Sequence, residues 1–264
     1  MLERARRIRK DRDYTNLLER AVSSVSRDVE RAALSAPLAR DLAFVYSKRE
    51  IDARMASERT LEDVLDTTGT YYEPRGAYRG YGPYRSLRAL QHRGEITDLA
   101  RAVRRHDPET VVEIGSANGG TLYVWARALD GVRTMLSTDL DYRGRRDFLE
   151  YVAGRSGVSL RCIEGDSQSE TTRRAVREAL SGDAIDFLYI DGDHSYEGVR
   201  ADFEAYEPLV ADDGLIGLHD VETGGTGVPR LWDELTETRE CRTFAAEDRY
   251  GPSASGLVYK SGRA

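Results

Sequence analysis

Two spacings of apolar residues divide this chain of 264 residues. Up to about residue 66 they recur at helical intervals. Ile8, Leu17, Leu18, Ala21, Val22 and Val25 form one stripe, and Leu42, Val45, Ile51 and Met55 another. No glycine precedes Gly69, which favours long helices, and two or three are expected. A further amphipathic helix is predicted over Gly94–His106, with Ile96, Leu99, Ala100 and Val103 on one face. Beyond it the period changes. Short apolar, β-branched runs mark strands at Thr110–Ile114, Arg133–Thr138, Ser159–Ile163, Ala184–Ile190, Leu215–Leu218, Arg242–Ala245 and Leu257–Tyr259. Helices between them start near Gly119, Arg145, Glu170, Tyr196 and Val228. Regular strand–helix alternation followed by two closing strands predicts an α/β fold, a doubly wound, mostly parallel seven-stranded sheet with an N-terminal helical appendage.

The chain thus divides into a helical appendage at 1–66 (a lid or dimer surface), a loop at 67–93, and a ligand-binding α/β domain at 94–264. The loop is rich in glycine, proline, tyrosine and arginine. Tyr71, Tyr72, Tyr78, Tyr81 and Tyr84, with Arg75, Arg79 and Arg85, could stack on a flat or sugar-like substrate and hold its anionic groups. Alternatively the tyrosines simply pack onto the core. Tyr78, Tyr81 and Tyr84 are the candidate substrate contacts.

Composition narrows the classes. A net charge of −7 argues against a broad nucleic-acid surface. The first twelve residues carry six Arg/Lys against two acids, which reads as a solvated helix face or as a contact for an anionic partner or membrane surface. No apolar run is long enough for a membrane span, and no apolar segment follows the N-terminal charges, so neither a span nor a signal peptide is expected. Two cysteines, Cys162 and Cys241, cannot make a disulfide framework and read as small buried residues in strands. A cytoplasmic protein is expected.

The chemistry gathers where strands end. Thr110–Ile114 runs into Gly115-Ser116-Ala-Asn-Gly119 and then a helix, a turn that offers free backbone N–H groups and a positive dipole end to a ligand. The spacing is neither the G-x-G-x-x-G of dinucleotide-binding dehydrogenases nor a P-loop, since no Gly-Lys-Ser/Thr follows. The second strand ends at Asp139, placed to accept both hydroxyls of a ribose and to repel a 2′-phosphate. The third ends at Asp166, which could accept from an adenine amino group. The fourth ends in Asp191-Gly-Asp193-His194 and the fifth in His219-Asp220. Polar residues closing five strands in succession point to one ligand site.

Glu113-x-Gly115-x-x-x-Gly119 resembles motif I of class I methyltransferases, which bind S-adenosylmethionine (SAM) on a Rossmann-like sheet. Asp186-Phe-Leu-Tyr-Ile-Asp191-Gly-Asp-His194, with Gly214-Leu-Ile-Gly-Leu-His219-Asp220 and Gly227-Val-Pro-Arg-Leu-Trp232, is similar to the methyltransferase family 24 group, which includes macrolide-sugar O-methyltransferases and so-called cephalosporin hydroxylases. The resemblance covers roughly residues 91 to 260. It implies SAM, often a divalent metal, and methyl transfer to a hydroxyl of a small molecule, sugar or glycan. It also implies Glu113, Gly115, Ser116, Gly119, Asp139, Asp166 and Asp191 around the cofactor. In family members with Asp-x-x-His the Asp is a metal ligand and the His the general base, here Asp191 and His194. The family's second ligand pair is two adjacent carboxylates, where this chain has His219-Asp220. A set of Asp191, His219 and Asp220 could hold Mg2+ weakly or Mn2+ more readily, because imidazole is a poor magnesium ligand. Each has a structural alternative: His194 as a polar helix-start residue, His219 as a core histidine, Asp191 and Asp220 as caps. Asp193 is expected to cap the helix near Tyr196, and Arg200, Asp202 and Glu204 to lie on a solvated face. The second functional reading is a regulatory SAM-binding protein with a degenerate metal site. Homo-oligomerisation through the N-terminal helices is a further expectation.

Overall fold

In a computed structural model of the chain the described residues are 37–70, 78–248 and 251–261. The expected stripe from Ile8 to Val25, the basic first twelve residues, Tyr71, Tyr72 and Arg75 lie outside them.

The sheet is built from β1 (Thr110–Ile114), β2 (Thr134–Asp139), β3 (Ser159–Glu164), β4 (Ile185–Ile190), β5 (Val210–Leu218), β6 (Glu240–Asp248) and β7 (Gly251–Tyr259). Their order is β3-β2-β1-β4-β5-β7-β6. The first five are mutually parallel and β7 is antiparallel to both neighbours. The helices are α1 (Pro37–Ser57), α2 (Leu61–Thr68), α3 (Arg93–Arg104), α4 (Gly120–Ala128), α5 (Arg146–Arg155), α6 (Glu170–Leu180), α7 (Tyr196–Tyr206) and α8 (Val228–Thr236). The seven expected strands and the helix starts are all present. The closing strands are longer than their apolar runs, because pairing along the β6–β7 hairpin recruits residues such as Glu240, Glu247 and Ser253 irrespective of hydrophobicity.

Alternation along the strands separates two cores. Val111, Met135, Phe187, Tyr189 and Leu215 face α1–α5, whereas Val112, Leu136, Leu188, Ile190 and Ile216 face α6–α8. The N-terminal helices share the first core: Ile51, Met55, Val64 and Leu65 are buried in it. In α1 the buried stripe is Ala43, Ser47, Ile51 and Met55, one helical turn apart, while Leu42 (62% exposed) and Val45 (46%) point outward. Placing Leu42 and Val45 on the stripe of Ile51 and Met55 therefore put them on the wrong face.

Register aligns the strand ends. Ile114 lies opposite both Thr138 and Ile190, and Ile190 opposite Leu218. Gly115, Asp139, Asp191 and His219 each come one residue later, so they form one row along the carboxyl edge. The strand order reverses at β1–β4, where ligands of open α/β sheets bind.

Candidate functional site

The loop after β1 is shaped by its two glycines. Gly115 has φ +82°, and a Cβ there would stand 2.1 Å from the Asp191 carbonyl oxygen; Gly119 has φ +77°, with a Cβ 2.3 Å from a Leu149 methyl. Only glycine allows this turn against β4 and α5. Glu113, fully buried, sits beneath it and accepts from Thr121 Oγ1 at 2.7 Å and Trp125 Nε1 at 2.8 Å. Burial pushes its carboxyl up to about 8, only partly offset by those donors. It is therefore the tie between β1 and α4, not an exposed cofactor contact. Ser116 is buried and accepts from Ser137 Oγ at 2.9 Å.

Asp139 faces the loop. One of its oxygens accepts the Ala117 N–H at 2.8 Å, the other the Asp141 N–H at 3.0 Å. Both retain lone pairs for a diol. Asp166 is exposed and accepts the Gln168 N–H at 2.9 Å. Two expectations for α7 need correction. Ser195, not Asp193, caps α7 by accepting the Gly198 N–H, and Asp193 accepts the Ser195 N–H. Asp202 lies on the buried face of α7, where Ser167 Oγ donates to it at 2.7 Å and burial raises its carboxyl to about 6.

Five acid and imidazole side chains alternate along the β4 and β5 ends. Glu95 Oε1 lies 3.4 Å from His219 Nε2; His219 Nδ1 is 3.0 Å from Asp191 Oδ1; that oxygen is 3.4 Å from His194 Nε2; and His194 Nδ1 is 2.8 Å from Asp220 Oδ2. The chain runs from the fully buried Glu95 to His194, whose side chain is 42% exposed. Asp220 holds its place with φ +62°, an uncommon value for a residue with a side chain, fixed by Thr223 Oγ1 donating to Oδ1 at 2.8 Å. The electrostatics follow from the contacts. Hydrogen bonds to Asp191 and Asp220 raise His194 to about 10. Burial would lower His219, but Asp191, Glu95 and Asp220 outweigh it and raise it to about 9. Burial opposes ionisation of Asp191 and Asp220 too; the imidazoles overcome it, lowering Asp191 and bringing Asp220 to about 2.

His194, His219, Asp191 and Asp220 line a cavity of about 430 Å³ with Leu90, His92, Ala117 and Thr223. The volume suits a small-molecule site. The glycine turn, Asp139 and this cavity adjoin through Ala117. The residues expected to take a divalent metal do meet, but their oxygens are already engaged. Asp191 Oδ2 accepts from Gln91 Nε2 at 2.9 Å, Asp191 Oδ1 faces two imidazoles, and Asp220 accepts from Thr223 and faces His194. Among the described residues no group of three or more His, Cys, Asp or Glu side chains is arranged to hold a metal ion. The set does not fit a metal in this arrangement.

The tyrosines divide. Tyr78 and Tyr84 are buried, packing against the Phe148 ring at centroid distances of 5.6 and 5.3 Å. Their rings serve the core, which withdraws them as substrate platforms. Tyr81 is 55% exposed and meets Tyr46 edge-on. Sequence reasoning missed Gln91 and Glu95. Glu95 accepts from Ser253, Ser255 and the His92 N–H. Nothing local betrays it: its partners come from β7, far along the chain. Cys162 is buried as expected, whereas Cys241 near the start of the edge strand β6 is only half-buried, and both cysteines are free.

Residues 112–221, from β1 to the turn after β5, match a family model described as a methyltransferase domain. An uncharacterized protein of Sinorhizobium fredii is 26% identical over 213 residues, covering 75% of this chain and 21% of that protein. The chain thus spans about a fifth of the length of the curated relative it matches. Among solved structures, cofactor-bound Rv0187 from MTB superposes with a TM-score of 0.51 at 16% identity, covering 89% of this chain and 97% of that one. The O-methyltransferase TomG from Streptomyces achromogenes, involved in tomaymycin synthesis and solved with SAM, gives 0.50 at 14% identity, covering 82% and 97%. At such identities the likeness speaks for the fold.

Proposed function

We propose that this chain, which carries a class I methyltransferase domain, is a SAM-dependent O-methyltransferase acting on a hydroxyl of a small molecule, sugar or glycan. The observation that carries the reading is the cavity at the reversal of strand order, with a carboxylate-oriented imidazole, His194, in its wall. The N-terminus of α4 and its glycine turn would receive the polar end of the cofactor, Asp139 its ribose hydroxyls and Asp166 its adenine. When bound, the cofactor supplies an electrophilic methyl group on a positively charged sulfur.

A neutral hydroxyl is a poor nucleophile unless its proton leaves as the new bond forms. His194 supplies the acceptor for that proton. Asp220 faces Nδ1 at 2.8 Å and Asp191 faces Nε2 at 3.4 Å; with the Nδ1–H held by Asp220, Nε2 would be the nitrogen that takes the proton once the ring is neutral and turned from Asp191 to the acceptor. The hydrogen bonds to Asp191 and Asp220 raise His194 to about 10 and so favour the protonated ring, and the competent, neutral form grows as pH rises. No step is assigned to a metal. Of the Tyr/Arg/Gly loop, Tyr81, Arg79 and Arg85 are exposed candidates for acceptor contact among the described residues.

The test is formation of S-adenosylhomocysteine from SAM across a panel of hydroxylated small molecules and glycans, with His194→Ala as control. Turnover that falls by about a hundred- to ten-thousand-fold in the variant supports the assignment. SAM binding with no turnover on any acceptor would favour the regulatory reading, for which the engaged carboxylates speak.

A further inference from the structure

We propose that the imidazolium of His219 stands in this site where a divalent cation would otherwise be needed, so that the chain works without a metal. The inference rests on the methyltransferase reading for its purpose, but not for its geometry.

Three carboxyl groups converge on one buried ring. Asp191 Oδ1 is 3.0 Å and Asp220 Oδ1 3.6 Å from His219 Nδ1, and Glu95 Oε1 is 3.4 Å from Nε2. His219 is 7% exposed and Glu95 wholly buried. Like charges held this close in a poorly hydrated place repel strongly unless a cation lies among them. Among the described residues no lysine or arginine pairs with any of the three acids; their ionic partners are His219 and His194. Of the two, His219 alone touches all three. The acids are also held as acceptors, since Glu95 takes the Ser253 and Ser255 hydroxyls and the His92 N–H, and Asp191 takes Gln91 Nε2. A ring with a proton on each nitrogen hydrogen-bonds Asp191 through Nδ1, while Nε2, buried and without a hydrogen-bond partner, turns its charge toward Glu95 at 3.4 Å.

This explains the departure at position 219. A second carboxylate there, beside Asp191, Asp220 and Glu95, would demand a metal; a histidine brings its own charge. His219 is then a positioning residue. It holds Asp191 between two imidazoles and thereby sets the place of His194, without touching the acceptor.

The experiment uses the full chain, stripped of metal with chelator, and reads Mn2+ binding by electron paramagnetic resonance, with SAM binding followed separately by calorimetry. The wild-type chain is expected to bind Mn2+ no tighter than millimolar. His219→Asp is expected to gain Mn2+ affinity by at least about tenfold, and His219→Gln, which removes the charge without adding an acid, by a smaller factor. Micromolar Mn2+ binding by the wild type, weakened about tenfold or more in Asp191→Asn, would overturn the proposal. So would unchanged Mn2+ affinity in both His219 variants. Loss of SAM binding in the wild type would overturn the methyltransferase reading while leaving the Mn2+ result to judge His219.

Discussion

The residues of the site are governed by their neighbours more than by their types. His194 between Asp191 and Asp220 has a folded-state pKa of about 10 against an ordinary 6.5, which fixes two pH dependences. First, turnover should climb about tenfold per pH unit below that value, as the neutral ring becomes available, and level off above it. A rate flat from about pH 6 to about pH 9 would exclude His194 as the base. Second, because the folded pKa is raised, the stabilisation from this imidazolium is complete below 6.5 and lost as pH rises through about 10. Denaturant unfolding of wild type and His194→Gln should therefore differ most near pH 6 and converge near about pH 10. Asp220 has the opposite sign. Its lowered pKa of about 2 contributes stability above 3.8 that disappears as pH falls through about 2. Asp139→Ala should weaken SAM binding by about tenfold or more, since a charged acceptor for two hydroxyls is removed; calorimetry with an unchanged Kd would remove the ribose assignment.

Elements carry the parts of the site that the sequence made legible. Each of the first five strands was readable from its β-branched run, and its terminal polar residue followed, because parallel strands in register put their ends in one row. The glycine turn was readable for the same reason, and its cost can be measured. Gly115→Ala adds a Cβ 2.1 Å from a backbone oxygen at φ +82°, so it should destabilise the fold by more than about 2 kcal/mol and reduce SAM affinity. A variant with wild-type Tm and affinity would show that the turn is not needed in this form. What periodicity could not reveal was which side of an element is covered. Leu42 and Val45 fit a helical stripe but face outward, and Asp202 fits a polar face but is buried. Both outcomes depend on what the helix packs against, which no single stretch encodes.

At the scale of the whole molecule, the site joins residues far apart in the chain: Gln91 and Glu95 before the first strand, Asp191 and His219 at the sheet's centre, Ser253 and Ser255 on the last strand. Glu95 and Gln91 were invisible in the sequence because only the closing of β7 against β5 and the docking of α3 bring them in. Tyr78 and Tyr84 erred in the other direction: aromatic residues in a glycine-rich loop looked available, yet the appendage closes over them. No helix of the described residues is long and apolar enough to cross a membrane. The outer face of α1 carries exposed Leu42, Val45 and Tyr46 beside Tyr81. The central claim is that the carboxyl edge of the sheet binds SAM. It is tested most directly by calorimetric titration of the full chain with SAM beside Asp139→Ala. The account expects micromolar binding by the wild type and about tenfold or greater weakening in the variant. No binding heat in a folded wild-type chain would contradict it.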